Sequence, residues 1–184
     1  AKDYDAWTPR FGVNYEPCED LLFYASATRG FKSGGFDFGS TGPVDQSTGF
    51  DPEYLWSYEL GMKSQWLDNR LRANVAAFYY DYEDLQVTLY TPPASAFTQN
   101  AATAEVKGLE LELQARPVES LDLFLNAAWL DATYDEYTGA QIKAFGPIDA
   151  SGQRLNNAPQ WTWVTGFTWT LFENAGGSYF IGSD

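Results

Sequence analysis

Apolar and polar residues alternate with a period of two along most of the chain, and this pattern predicts β-strands. Between positions 54 and 66 the even residues are mostly large and apolar, whereas the odd residues from 57 to 65 are small, polar or charged. Phe78 and Phe124 break the rule because they fall on the polar side of their strands. Such alternation is typical of strands with one apolar and one polar face. It recurs at 109–114, 121–129 and 161–171.

The connections between these strands alternate in length. Short polar turns fall at 17–20, 67–70, 117–120 and 173–177. Long segments rich in Gly, Ser, Pro and Asn fall near 32–52, 91–104 and 138–158. This spacing predicts four antiparallel hairpins, hence eight strands, with the short turns at one end. A kelch-type propeller has a similar period, but its blades need four short strands, whereas 53–66 is one uninterrupted strand.

Two environments fit an apolar strand face: the core of a soluble β-sandwich, or the lipid around a transmembrane β-barrel. Ten steps from Trp161 to Leu171 give about 33 Å of strand, which projects to about 25 Å at a typical barrel tilt. That height matches the apolar band of an outer-membrane barrel. Aromatic residues also gather at strand ends, as they do at membrane interfaces. They are Tyr15, Phe23, Trp66, Phe172 and Tyr179. The barrel is therefore favoured.

Composition excludes several classes of function. With 11 Lys and Arg against 25 Asp and Glu, the net charge is −14, which disfavours nucleic-acid binding. The absence of histidine excludes Ser-His-Asp catalysis and His-ligated zinc. A single cysteine, Cys18, excludes an internal disulfide and a cysteine-based metal cluster. No acid pair stands out as a glycosidase site. We expect no catalytic residue, no resident metal and no cofactor.

An ordered series of short segments extends over nearly the whole chain. They are PRFGVNY at 9–15, LFYAS at 22–26, RGFKSGGF at 29–36, FDPE at 50–53, SYELGMK at 57–63, FYYDYED at 78–84, NAA at 100–102, VKGLELE at 106–112 and RLNNAP at 154–159. No single segment is decisive, but in their order and spacing they resemble the TonB-dependent outer-membrane receptors of the ferric-siderophore type.

The resemblance implies an all-β fold, an antiparallel up-and-down transmembrane β-barrel. Residues 1–184 would supply about eight consecutive strands of a larger, 22-stranded barrel, within a single outer-membrane barrel domain. The plug domain and the barrel ends would lie outside this chain. The expected location is the outer membrane of a Gram-negative bacterium. The expected partners are the TonB complex through the plug, a metal chelate, and outer-membrane lipid and lipopolysaccharide, with no nucleic acid.

The function implied by the resemblance is TonB-dependent uptake of a ferric siderophore or a similar scarce metal chelate, without catalysis. Uptake of an oligosaccharide or cobalamin by the same scaffold is an alternative. A small eight-stranded structural barrel filled by its own side chains, or a soluble carbohydrate-binding sandwich, are alternatives from a different class.

Two groups of residues are candidates for contacts. Charged residues on the polar strand faces would contact a plug, or would pair across strands and keep the lumen wet. They are Arg10, Glu59, Lys63, Arg72, Glu110, Glu112 and Arg116. In the loop, Lys32, Phe36, Asp37 and Phe38 offer a cation, aromatic rings and a carboxylate to an aromatic anionic chelate, unless the rings pack on neighbouring loops.

A third group of acids would be able to bind calcium. Asp131, Asp135 and Glu136 lie close together in sequence and offer oxygen ligands. A solvated acidic strand end explains the same residues, and we favour it.

Overall fold

The computed structural model describes residues 3–36, 49–91, 95–142, 146–174 and 176–184. No helix in these residues has the length and apolarity needed to cross a membrane. The strands of the described residues are β1 (Arg10–Cys18), β2 (Leu21–Lys32), β3 (Glu53–Trp66), β4 (Leu71–Thr91), β5 (Ser95–Val118), β6 (Leu121–Glu136), β7 (Thr138–Ile142), β8 (Gly146–Asp149), β9 (Trp161–Asn174) and β10 (Gly177–Ser183).

Eight of these strands form one antiparallel sheet in which neighbours in sequence are neighbours in space. The order is β1-β2-β3-β4-β5-β6-β9-β10, and β7 pairs only with β8 in a separate hairpin. Within the described residues, β1 and β10 are the edge strands of an open sheet. The all-β, up-and-down arrangement of eight sheet strands predicted from the sequence is confirmed.

All four predicted short turns lie at one end of the sheet, which we call the turn end. The turn between β3 and β4 has left-handed backbone at three successive residues, Leu67, Asp68 and Asn69, with φ of 58°, 54° and 65°. Asn and Asp tolerate this region better than most residues. The opposite end, which we call the loop end, carries the long connections.

Two predicted loops differ from the structure. Residues 91–104 are mostly strand, because β4 continues to Thr91 and β5 starts at Ser95. The sequence of 98–104 lacks the usual alternation of residue types because both sides of the strand carry small or polar residues, although Ala102 and Ala104, two positions apart, are buried. Ala102 packs in a small core with Tyr137, Ala140 and Ala150. The second difference is the β7–β8 hairpin, which lies inside the predicted 138–158 loop.

On one face of the sheet, the apolar face, the rows of cross-strand partners from Leu60 to Trp66 carry no charge, whereas Lys107 and Asp131 pair on the same face nearer the loop end. In one row Val75, Leu111, Ala127 and Trp163 are successive partners, and Trp163 is 71% exposed. Polar groups on this face are satisfied by the sheet itself. The hydroxyl of Ser64 donates to the carbonyl of Ala73 at 2.7 Å, and that of Thr165 donates to Phe124 at 2.8 Å.

On the opposite, polar face, three aromatic rings lie over glycines of the adjacent strand. A Cβ added at each glycine would overlap the ring beside it. This explains why Phe78 and Phe124 depart from the alternation: each ring needs a neighbour without a side chain. The pairs are Tyr24 on Gly61, Phe78 on Gly108 and Phe124 on Gly166.

A side chain at Gly61 should therefore destabilise the sheet. Gly61→Val would push the Tyr24 ring aside, and we expect a loss of about 1–3 kcal/mol in unfolding free energy, as for other overpacked sites. Gly30→Val is the matched control, because nothing lies within 4 Å of a Cβ there. Urea unfolding of the full-length protein measures both, and equal losses would contradict the ring-on-glycine arrangement.

Candidate functional site: the polar face and the loop end

The seven charged residues predicted to face a lumen all fall at polar-face positions of β1, β3, β4 and β5. Their registers show this, since Arg10 partners Thr28, Lys63 partners Asn74, and Arg72 partners Gln114. Several of them contact neighbours on the same face. Asn74 donates to Glu112 at 3.1 Å, and Arg116 pairs with Asp122 at 2.7 Å.

Tyr24 is the centre of a polar cluster midway along this face. Its hydroxyl donates to Glu59 Oε1 at 2.6 Å, and the Lys63 ammonium lies 5.9 Å from the centre of its ring. The ring is also fixed against Gly61. Glu59 and Lys63, two of the predicted residues, both contact the Tyr24 side chain, which was not among the predicted site residues.

The predicted loop residues are described only in part. Lys32 Nζ lies 3.7 Å from Glu53 Oε2, with side-chain exposures of 64% and 12%. A Cβ at Gly49 would lie 2.8 Å from the Phe36 ring, so this ring packs over the returning strand of the loop. Asp37 and Phe38 lie outside the described residues. The role of these four residues in ligand contact stays a prediction.

Two amide side chains hold both ends of the β2–β3 loop against the β4–β5 extension, by which we mean the paired residues 85–91 of β4 and 95–102 of β5. Gln86 Nε2 donates to the carbonyls of Ser33, at 3.0 Å, and Asp51, at 3.1 Å. Asn100 Nδ2 donates to Asp51 and Asp84, both at 2.8 Å, and Asn100 Oδ1 accepts from the Asp51 amide at 2.7 Å. We call this set the amide lock. It joins FDPE at 50–53 to NAA at 100–102, two segments of the resemblance that had no assigned contact.

A cavity of about 740 Å³ lies beside the amide lock at the loop end. Residues of the β4 extension, the end of β6, the β7–β8 hairpin and the segment after it line this open cavity. Its lining combines two phenols, amides and apolar side chains. They include Tyr134, Tyr137, Gln86, Gln153, Asn156, Leu85, Val87 and Ile148. A partly apolar concavity with a few polar groups is the usual form of a small-molecule site.

Local contacts set the charge and hydrogen-bonding state of this cavity. Burial raises the pKa of Tyr137 above its usual value, and neighbouring Tyr134 adds to the shift, so the phenol stays a hydrogen-bond donor. The ring centres of the two tyrosines are 4.8 Å apart. Hydrogen bonds from Ser151 lower the pKa of Asp149, so this carboxylate is charged at neutral pH.

Arg154 fixes the chain where the long loop returns to the sheet. Its Nη2 donates to the carbonyls of Leu130, at 3.0 Å, and Ala158, at 3.2 Å, while Nη1 lies 3.8 Å from Asp131. Asp131 also pairs with Lys107 at 3.3 Å. Asp131 is thus a partner of two cations, and no group of three metal-ligating residues occurs in the described part of the chain. The sequence marked Arg154 through RLNNAP but gave it no role.

The amide lock predicts that Asn100→Asp loosens the base of the β2–β3 loop. The change keeps the acceptor for the Asp51 amide but removes the donors and sets a negative charge against two carbonyls. We expect hydrogen exchange in residues 49–53 to become about tenfold faster, as expected from the loss of one to two net hydrogen bonds. The control is Asn126→Asp, on the polar face away from the lock. Equal exchange in both variants would contradict the lock.

The chain is similar to known proteins in sequence. A profile of the family "TonB dependent receptor-like, beta-barrel" matches residues 1–184. The metal-pseudopaline receptor CntO of Pseudomonas aeruginosa is 32% identical over 158 residues, which are 84% of this chain and 20% of that protein. The ferric-pyoverdine 358 receptor of Pseudomonas putida is 30% identical over 121 residues, covering 64% of this chain and 14% of that receptor.

Solved structures share the fold. The ferric yersiniabactin uptake receptor FyuA of Yersinia pestis superposes with a TM-score of 0.72 at 20% identity, over 93% of this chain and 24% of FyuA. The ferripyoverdine receptor of the outer membrane of Pseudomonas aeruginosa gives 0.60 at 20% identity, over 91% of this chain and 21% of that receptor.

The chain thus spans 20% or less of the length of these curated relatives. The family consists of outer-membrane transport receptors that interact with TonB. In a barrel of this family the apolar face of the sheet is the lipid-facing surface, and the polar face lines the barrel lumen. The chain belongs to the TonB-dependent receptor family and forms part of the β-barrel of such a receptor in the Gram-negative outer membrane.

Proposed function

We propose that the receptor containing this chain imports a ferric siderophore or a similar metal chelate. The proposal is supported by the family to which the chain belongs together with the ligands named for its relatives. The family profile extends over residues 1–184, and relatives at 32% and 30% identity are receptors for metal-pseudopaline and ferric-pyoverdine. Residues 1–184 serve as part of a single barrel domain, with the plug and the barrel ends elsewhere in the receptor.

The loop-end cavity is the part of this chain that we assign to the chelate. Tyr134 and Tyr137 offer hydroxyl donors and ring faces, and Gln86, Gln153 and Asn156 offer amides. Such groups bind the carbonyl, carboxylate and hydroxyl oxygens that surround a chelated metal. The amide lock and the Arg154 contacts hold the walls of the cavity in place, which lowers the entropy lost on binding.

The 32–38 loop contributes a second, weaker contact in this proposal. Lys32 is paired with Glu53 at 3.7 Å, and the Phe36 ring is 38% exposed beside Gly49, so each offers only part of its charge or ring surface to a ligand. A Lys32→Ala, Phe36→Ala double variant should lose less than tenfold in chelate affinity. Unchanged affinity in a folded variant would remove this loop from the ligand site.

The charged residues of the polar face and the TonB complex also have roles in this proposal. Arg10, Glu59, Lys63, Arg72, Glu110, Glu112 and Arg116 line the lumen and contact the plug. The plug connects the receptor to the TonB complex, and lipid and lipopolysaccharide surround the apolar face. The receptor moves an intact chelate and is not an enzyme.

Uptake by whole cells tests the function. A strain lacking the receptor is complemented with the full-length gene and given radiolabelled ferric pyoverdine, ferric yersiniabactin or metal-pseudopaline. We expect at least one chelate to accumulate tenfold above the deletion strain, and only when TonB is present. Cyanocobalamin and a malto-oligosaccharide are the comparison substrates. Uptake of either of these, in place of every chelate, would contradict the proposal.

The lipid-facing assignment of β9 predicts the effect of a buried charge. Phe167→Arg places a cation against lipid near mid-depth, and we expect a loss of about 2–4 kcal/mol in folding free energy. Val164→Arg, at a lumen position of the same strand, is the control and should cost much less. Urea titration of the full-length barrel in lipid vesicles measures both losses of folding free energy. Equal losses, or a larger loss for Val164→Arg, would contradict the assignment of these two residues to opposite faces.

A further inference from the structure

The loop-end cavity has one cation and one anion in its lining, and the two differ in how far their charges are compensated. Among the described residues that line it, Arg154 and Asp149 are the two with a formal charge at neutral pH. The Arg154 guanidinium already donates to the carbonyls of Leu130 and Ala158 and lies 3.8 Å from the Asp131 carboxylate. The Arg154 charge is therefore used within the protein, and little of it is left for a ligand.

The Asp149 carboxylate has no cationic partner in the described part of the chain. Asp149 is exposed, and its hydrogen bonds come from the neutral groups of Ser151, including the amide at 2.9 Å. Neutral donors hold the carboxylate in place but do not cancel its charge. The cavity therefore presents a net negative charge to whatever enters it.

Backbone hydrogen bonds fix this carboxylate beside the two phenols of the cavity. The Ala150 amide donates to the carbonyl of Tyr137 at 2.9 Å, and the Tyr137 amide donates to Ser151 Oγ at 2.9 Å. The Gly152 amide donates to the carbonyl of Tyr134 at 2.7 Å. The segment that follows β8 is thus held against the chain that carries both phenols, and its charge cannot move away without breaking these bonds.

The other groups of defined polarity in the lining also suit a cation. Gln86 uses Nε2 for two hydrogen bonds of the amide lock, so its remaining polar atom is the carbonyl oxygen, an acceptor. The rings of Tyr134 and Tyr137, whose centres are 4.8 Å apart, have electron-rich faces, which attract ammonium and guanidinium groups. A carboxylate, an amide acceptor and two phenol rings therefore line the same cavity of about 740 Å³.

We propose that the loop-end cavity selects a chelate that carries a positively charged organic group, an ammonium or a guanidinium, and binds this group against Asp149. The inference rests on the proposed function, because it requires that the cavity receives a chelate. It adds the charge of the group that is recognised. A strongly anionic chelate would meet the same carboxylate and be repelled.

The lining favours an organic cation over a bare metal ion. Calcium takes about six to eight oxygen ligands, several of them carboxylates, whereas Asp149 is the one carboxylate among the described lining residues. An ammonium or guanidinium group needs only one carboxylate, and it uses the ring faces and the Gln86 oxygen as further contacts.

Fluorine NMR of the full-length receptor in detergent micelles tests this charge preference without a chelate. The probes are para-(trifluoromethyl)benzylammonium and its neutral counterpart para-(trifluoromethyl)benzyl alcohol. Asp149→Asn keeps an oxygen for the Ser151 amide but removes the charge. It should weaken binding of the ammonium probe about threefold, as expected for the loss of an exposed ion pair, and leave binding of the alcohol unchanged. Asp68→Asn, the same substitution in the turn after β3, is the control and should affect neither probe.

A second variant separates charge from local structure. Asp149→Glu keeps the charge and should retain the preference for the ammonium probe. Unchanged binding of the ammonium probe in Asp149→Asn would overturn the proposal. Equal weakening of both probes would also overturn it, because the substitution would then have changed the shape of the cavity and not its charge preference.

A pair of chelates measures the same preference on a metal complex. The gallium(III) complex of desferrioxamine B has one free ammonium group, and its N-acetylated form is the same chelate without that charge. The ammonium form should displace the ammonium probe at about threefold lower concentration. Equal concentrations would overturn the proposal. Neither measurement involves uptake or the receptor's own chelate, so a failed uptake experiment leaves both results interpretable.

Discussion

The structure depends on one constraint: every strand must present an apolar face to lipid and a polar face to water, with its backbone fully paired. In hydrocarbon an unpaired backbone group costs several kcal/mol, and closely paired strands avoid that cost. The antiparallel order β1-β2-β3-β4-β5-β6-β9-β10 gives every inner strand of the described sheet a hydrogen-bonded neighbour on each side. Ser64 and Thr165 meet the same constraint for their side chains by donating to carbonyls of neighbouring strands.

The same constraint separates structural from functional residues. The apolar face needs only bulk and no charge, so its rows tolerate many apolar residues. The polar face is free to vary its chemistry along the strand, and the structure uses that freedom in three zones. Arginines gather at the turn end, a Tyr24–Glu59–Lys63 cluster lies midway, and an amide lock and a cavity lie at the loop end. The side chains on the polar face therefore differ in chemistry from the turn end to the loop end, whereas the lipid-facing rows from Leu60 to Trp66 stay uncharged.

The sequence predicted those features that depend on local periodicity. Alternation located β3, β5, β6 and β9 and their faces, and the spacing of the four short turns gave the count of eight sheet strands. The β4–β5 extension and the β7–β8 hairpin were missed because small or polar residues stand on both sides of these strands, so that the contacts with the loop-end core around Tyr137 leave no apolar–polar alternation in the sequence. The amide lock and the Arg154 contacts join residues far apart in sequence, and only the register of the sheet shows which motifs meet.

The central claim is that alternate residues of one strand face lipid and lumen, and spin-label accessibility along β9 tests it most directly. Single cysteines at positions 162 to 169 of the full-length receptor, in a Cys18→Ser background, are spin-labelled and reconstituted in lipid. Collision rates with oxygen and with a water-soluble nickel chelate are then compared at each position. The account predicts a two-residue period, with high oxygen access at 163, 165, 167 and 169 and high nickel access at the even positions. Uniform access, or a period of opposite phase, would contradict it.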